Sequence, residues 1–283
     1  SNTTGTQNVA LGLSSLYTNT TGSNNTAVGL QALHLSTTAS NNTALGFKSL
    51  YANTTGTQNT AVSQALQSNT TGNYNTAVGM YSAENTTTGE HNTAVGRSCL
   101  NQNTTADFNT AMGSAAMYSN TTGTYNTGVG YGALNNNTTA NDNTALGYRS
   151  LLVNTTGASN TAVGSNALDA NTTGSTNTAI GNASLTNCTT GVKNCALGGG
   201  AIGSITTGDY NIGIGYRTGA YTVDLITGDK NILIGTDAYA NAADGQSQIV
   251  IGTYQMGGKG DSTGFISPGD GAVYQGNNSS AWA

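Results

Sequence analysis

Charge is nearly missing from this sequence: 7% of its 283 residues are Asp, Glu, Lys or Arg, against roughly a quarter in an ordinary soluble domain. The basic residues Lys48, Arg97, Arg149, Lys193, Arg217, Lys230 and Lys259 stand singly in a chain of net charge −5. Nucleic acid is thereby excluded as a partner, because phosphate binding needs clustered Lys and Arg. No apolar run approaches the ~20 residues that span a bilayer, so no membrane insertion is expected. Proline occurs once, at Pro268, and tryptophan once, at Trp282. Cys99, Cys188 and Cys195 make neither a disulfide framework nor a CxxC pair, and buried free thiols are expected. There is no initiator Met and no signal peptide, and Ser1 opens inside a repeat, so the chain reads as a piece of a longer polypeptide.

What fills the sequence instead is Thr, Asn, Ser and 40 Gly, arranged periodically. The motif N-T-A-V-G-x-x-A-L-x-x-N-T-T-G-x-x opens at Asn8, Asn25, Asn42, Asn59, Asn75, Asn92, Asn109, Asn126, Asn143, Asn160, Asn177, Asn194, Asn211 and Asn231, and Gln248 opens a fifteenth copy. Twelve of the fourteen intervals are 17 residues; one is 16, at Val62-Ser63-Gln64, and one is 20, through an insertion near Ala220 to Asp224. Seventeen residues are too few for a helix pair and too regular for a β-sandwich. They predict an all-β parallel solenoid of about fifteen 17-residue coils, each with two short strands and two turns. Coils stacked at ~4.8 Å would make a rod on the order of 70 Å long. Residues 1–252 form this shaft, and 253–283 an irregular cap or tip.

The first and third residues of T-A-V share a strand face, and C-terminal copies make both apolar, as in Ile212 and Ile214. That alternation predicts an inward column containing Val28, Leu45, Ile214, Ile234 and Ile251. A second inward column comes from the Leu of A-L, including Leu33 and Leu50. Gly29, Gly46 and Gly79 mark one turn; Gly22, Gly56, Gly123 and Gly157 mark the other, where Ala39, Ala106 and Ala140 show that positive φ is not obligatory. Asn25, Asn42, Asn92, Asn109, Asn126 and Asn143 are expected to stack into a ladder of amides. So thin a coil buries few apolar side chains against its ordering entropy, and wrapping three chains around one axis would bury a further face. A homotrimer is therefore expected.

The N-T-A-V-G-x-x-A-L unit resembles the head repeats of trimeric autotransporter adhesins, whose N-S-V-A-I-G motif builds a left-handed parallel β-roll in a trimer. It is still more similar to repeats in tail fibres of marine phages, including those of cyanobacteria, over about residues 1–252. Residues 272–283, A-V-Y-Q-G-N-N-S-S-A-W-A, are similar to the stretch before the intramolecular chaperone of endosialidase-type phage tail proteins. In that family the chaperone assembles the trimer and cleaves itself off at a Ser in an S-D-x-R-L-K-like motif. No such motif stands here, so no autoproteolytic residue transfers; the resemblance implies a matured fibre or a chain cut near that point.

No catalytic constellation is found and no cofactor is implied; the chain is expected not to be an enzyme. His34 and His91 occupy different repeat positions with no metal-ligand spacing. Seven of the twelve acids lie late, from Asp209 to Asp270, without a D-x-D-x-D-G loop, and read as solubilising charge on turns. The N-x-T triplets are repeat residues. Tyr17, Tyr51 and Tyr118 share a position with His34, and Phe47, Tyr131, Tyr148 and Tyr216 share another; they suit coil edges or an interchain seam, or stacking on sugar rings. Phe265, Tyr274 and Trp282, in the irregular tail, are the candidate receptor-binding or capping residues. The expected function is a structural segment of a virion tail fibre displaying or forming a tip for a host-surface glycan or protein receptor. The alternatives are a trimeric adhesin head on a bacterial surface and an ice-binding solenoid. The last is prompted by Thr pairs such as Thr20-Thr21, which supply one outward file where a flat array needs two.

Overall fold

A computed structural model describes residues 2–220, 224–267 and 273–275. It is all-β, and its contacts divide the chain into two compact units, Ser1–Asp142 and Asn143–Ala283. The first unit holds β1 (Val9–Leu11), β2 (Thr26–Val28), β3 (Thr43–Leu45), β4 (Thr60–Val62), β5 (Thr76–Val78), β6 (Thr93–Val95), β7 (Thr110–Met112) and β8 (Thr127–Val129). The second holds β9 (Thr144–Leu146), β10 (Thr161–Val163), β11 (Thr178–Ile180), β12 (Cys195–Leu197), β13 (Ile212–Ile214), β14 (Ile232–Thr236), β15 (Ile249–Tyr254), β16 (Gly264–Ser267) and β17 (Val273–Gln275).

Within each unit successive strands pair in parallel, equivalent residue on equivalent residue. Thr26, Ala27 and Val28 lie against Thr43, Ala44 and Leu45 in one unit, and Thr161, Ala162 and Val163 against Thr178, Ala179 and Ile180 in the other. Each repeat is thus one turn of a β-solenoid. From β1 to β13 a glycine follows nearly every strand and ends it with φ between 125° and 138°, a region that side chains disfavour. In the 16-residue coil Ser63 takes that place with φ 71°.

The second expected strand does not form. The A-L segment is a run of turns carrying non-glycine residues in the left-handed region, Gln31 at 58° and Leu33 at 48°, Lys48 at 53° and Leu50 at 50°. Each such residue costs roughly 1–2 kcal/mol. The conformation is held because the leucines are fully buried and the backbone still bonds coil to coil, Leu33 N–H to Ser49 O at 3.0 Å and Leu35 N–H to Tyr51 O at 3.1 Å.

The inward column is also displaced from the expectation. Leu33 and Leu50 are fully buried, as are the middle residues Ala27 and Ala44, whereas Val28, Ile214, Ile234 and Ile251 are only partly buried and Leu45 is 46% exposed. Two causes set this phase. The preceding Asn is buried, and strand alternation then sends the second residue after it inward and the first and third outward. The space facing that second residue is already filled by the Leu column, leaving room for a methyl. Exceptions prove to be paired: a Cβ on Gly128 would lie 2.9 Å from Met117 Cγ, and one on Gly213 2.7 Å from Ile202 Cγ2, so Gly stands where the turn residue is unbranched or β-branched and reaches closer to the strand than Leu. Conversely Gly219 takes the Leu position, and Leu233 is the buried strand residue facing it.

Parallel stacking continues past residue 252. β16 pairs with β15, placing Phe265 beside Val250, and β17 turns antiparallel onto β16.

Candidate functional site

The Asn opening each repeat does two jobs. Its Nδ2 donates across its own coil to the second turn, Asn25 to Ala39 O at 2.8 Å and Asn42 to Gly56 O at 2.9 Å. Its Oδ1 accepts the backbone N–H of the next Asn, at 3.0 Å from Asn42 to Asn25 and from Asn109 to Asn92. The same pattern joins Asn126 to Asn109 at 3.0 Å in the first unit, and Asn160 to Asn143 at 2.9 Å in the second. Amide-to-amide bonds, the expected ladder, are present as the longer partners, 3.3 Å for Asn42 and Asn25. These side chains are buried, where an unmade bond costs most.

The Asn of N-T-T forms a second ladder, Asn69 Nδ2 to Asn53 Oδ1 at 2.8 Å and Asn171 Nδ2 to Asn154 Oδ1 at 2.7 Å. It breaks where the next coil substitutes Thr86 or Cys188, leaving Asn69 Oδ1 and Asn171 Oδ1 buried with no partner. Most N-x-T asparagines sit in this ladder, buried and bonded.

Cys99 and Cys188 are buried free thiols, and Cys195 is partly exposed on the outward strand face. Burial pushes the Cys188 thiol up to about 11 from 9.0, and raises Cys99 as well. Below pH 9 the thiol is protonated in both states and its contribution is fully present. As pH rises to about 11 the unfolded chain ionises first and stability is lost, by roughly 2–3 kcal/mol. Cys188→Asn is expected to remove that part of the alkaline decline. It also gives Asn171 Oδ1 a donor, raising stability at pH 7 by about 1 kcal/mol. Denaturant melts of both proteins from pH 7 to 11 check this; parallel curves would refute it.

The outward strand face carries a file of Thr beside a file of Val, Leu, Ile and Met. Leu45, Leu146 and Leu197 in the second file are exposed by 46%, 47% and 46%. Two residues further on, Leu13, Leu30, Phe47, Met80, Tyr131, Tyr148 and Tyr216 are exposed as well. The apolar surface is therefore two files wide.

Aromatics of successive coils stack on one another. Tyr17, His34 and Tyr51 have centroids 5.4 and 5.3 Å apart, so the faces they turn toward one another are closed to a sugar. A second stack, Tyr74, His91, Phe108 and Tyr125, escaped the sequence reading, although its 17-residue spacing just before the ladder Asn was visible. Late acids bond backbone, Asp209 accepting from Val192 N–H and Asp229 from Asp209 N–H, both at 2.8 Å. Among the described residues no group of three or more His, Cys, Asp or Glu could hold a metal ion, and no helix is long and apolar enough to cross a membrane. Phe265 is buried, with Lys259 Nζ 4.9 Å from its ring centre. The Tyr274 side chain and Trp282 lie outside the described residues. No protein-family model and no curated protein matches the chain.

Proposed function

We propose that the chain is a structural segment of a trimeric phage tail fibre. Residues 1–252 form its left-handed β-roll shaft, and 253–283 lead to a tip that meets a glycan or protein receptor on the host. The outward apolar face carries this reading. Coil stacking satisfies the backbone but leaves Leu45 in the first unit, and Leu146 and Leu197 in the second, facing water, and exposed apolar files of this kind mark an interaction site. Two further copies laid against it around one axis bury it, each meeting the next through the same heterologous contact in a ring that closes at three. A trimeric adhesin head on a bacterial surface shares that geometry, and the polypeptide flanking this segment separates the two.

Native mass spectrometry tests the assembly. A species near three times 28.4 kDa supports it, and a persistent 28.4 kDa species refutes it. Leu146→Asp combined with Leu197→Asp is expected to convert trimer to monomer with the β-type circular dichroism unchanged, since neither side chain is in the coil interior. A variant that stays trimeric would show that another face holds the copies together.

One observation favours a second reading. The outward strand face, with Thr26 beside Val28 and Thr60 beside Val62, supplies the two-file array that the Thr20-Thr21 corner lacks, the arrangement an ice-binding surface needs. Phe47, Tyr131 and Tyr148 rise beside it and break its flatness, so the fibre reading stands first. Thermal hysteresis in a monomeric protein would reverse that order.

A further inference from the structure

A second exposed feature is left unused by the fibre reading. Tyr74, His91, Phe108 and Tyr125 precede the ladder Asn in four successive coils. Their ring centroids are 4.6, 4.9 and 5.1 Å apart and their planes within 7°. All four residues have φ of 57° or 58°, a region bulky side chains avoid. The coil does not require them, because Gln58, Ser159 and Ser247 occupy the same position at φ 57°, 58° and 54°. Tyr74, Phe108 and Tyr125 are about half exposed, at 49%, 47% and 59%.

Each ring lies face to face with the next, so solvent meets a row of ring edges. Edges are the positive side of the aromatic quadrupole and attract the face of another π system. A flat conjugated molecule laid along the row meets four edges at once. Carboxylates set the sign of its charge. Glu90 and Asp107 stand one residue before His91 and Phe108, and neither file holds a Lys or Arg between Thr57 and Asp142. Both carboxylates are fixed there, Glu90 Oε1 accepting from Asn73 Nδ2 at 2.5 Å and Asp107 Oδ1 from Glu90 N–H at 2.6 Å.

We propose that this ladder is a binding stripe for elongated, planar aromatic cations lying along the stacking direction of the coils. It stands on the corner before the strand, and does not rest on the trimer.

The test is a titration of the whole chain with thioflavin T, a planar cation, followed by fluorescence and equilibrium dialysis. One saturable site per chain, weakened by salt, is expected. Phe108→Ser with His91→Ser should reduce affinity about tenfold or more, with folding checked by circular dichroism. Gln58→Tyr lengthens the ladder to five rings and should tighten binding by about three- to tenfold, a gain that no folding defect can imitate. Glu90→Gln with Asp107→Asn should weaken it roughly two- to fivefold. Binding that ignores the ring substitutions, or an uncharged planar dye that binds equally well, overturns the proposal. So does an absence of dye binding accompanied by loss of self-association in the serine variant, which would assign the ladder to contact between copies. Native mass is read separately, so a monomer that binds dye refutes the fibre alone.

Discussion

Gly164→Ala is expected to destabilise the chain by about 4 kcal/mol or more, a loss that a denaturant melt will register as a collapse of the native baseline. Two penalties combine. Gly164 has φ 133°, outside the left-handed well that Asn or Asp tolerate, and an alanine there costs of order 1–3 kcal/mol in backbone strain alone. Its Cβ would also stand 2.4 Å from Gly181 O and 2.6 Å from Gly181 C in the adjoining coil. The obstacle is backbone, and a single coil cannot move away without breaking the pairing of Val163 with Ile180. The second turn supplies the control. Gly157 has no positive φ although its neighbours are as close, and Ala39, Ala106 and Ala140 occupy that column buried. Gly157→Ala should therefore lose no more than about 2 kcal/mol. Equal losses at the two sites would mean that crowding, not backbone conformation, governs this column.

Asn109→Ala should cost about 2–4 kcal/mol. Asn109 Nδ2 donates to Gly123 O at 2.8 Å, and its Oδ1 accepts from Asn126 N–H at 3.0 Å. Truncation orphans the buried Asn126 amide, worth about 1–3 kcal/mol, and takes one of two donors from Gly123 O, which keeps Asn120 Nδ2 at 2.9 Å and so loses about 1 kcal/mol. Asn109→Asp distinguishes the two halves of this loss. It keeps the acceptor for Asn126 but turns a carboxylate toward a carbonyl oxygen in a buried place, so it should be worse than alanine at pH 7 and recover as pH falls and the carboxyl becomes a donor. Melts at pH 4 and pH 7 decide the matter; an aspartate variant indifferent to pH would place the ladder in contact with water.

The recurrence of Asn, Gly and T-A-V at one spacing was enough to read one coil per repeat and the parallel pairing of equivalent residues, because identical rungs can meet only in register. The inside and outside of the strand were not read correctly. Val28, Leu45 and Ile214 look like core by hydrophobicity, but the buried Asn fixes the alternation and Leu33 and Leu50 already occupy the interior. Nor did Leu33 suggest a left-handed residue at 48°, since that conformation is imposed by the coils on either side and has no local preference behind it. The exchanges of Met117 with Gly128 and Ile202 with Gly213 were visible as exceptions in neighbouring coils; only the three-dimensional packing shows that they compensate. Of the candidate tip, Phe265 pairs beside Val250 in a parallel rung, while the Tyr274 side chain and Trp282 lie outside the described residues.

The side chain that closes each coil belongs to that coil, and the next repeat presents the same amide to the one before it. Loss or duplication of seventeen codons therefore joins an Asn carbonyl to an Asn amide at the new junction just as before, and recombination within the gene can lengthen or shorten this protein one whole rung at a time without leaving a chemical scar.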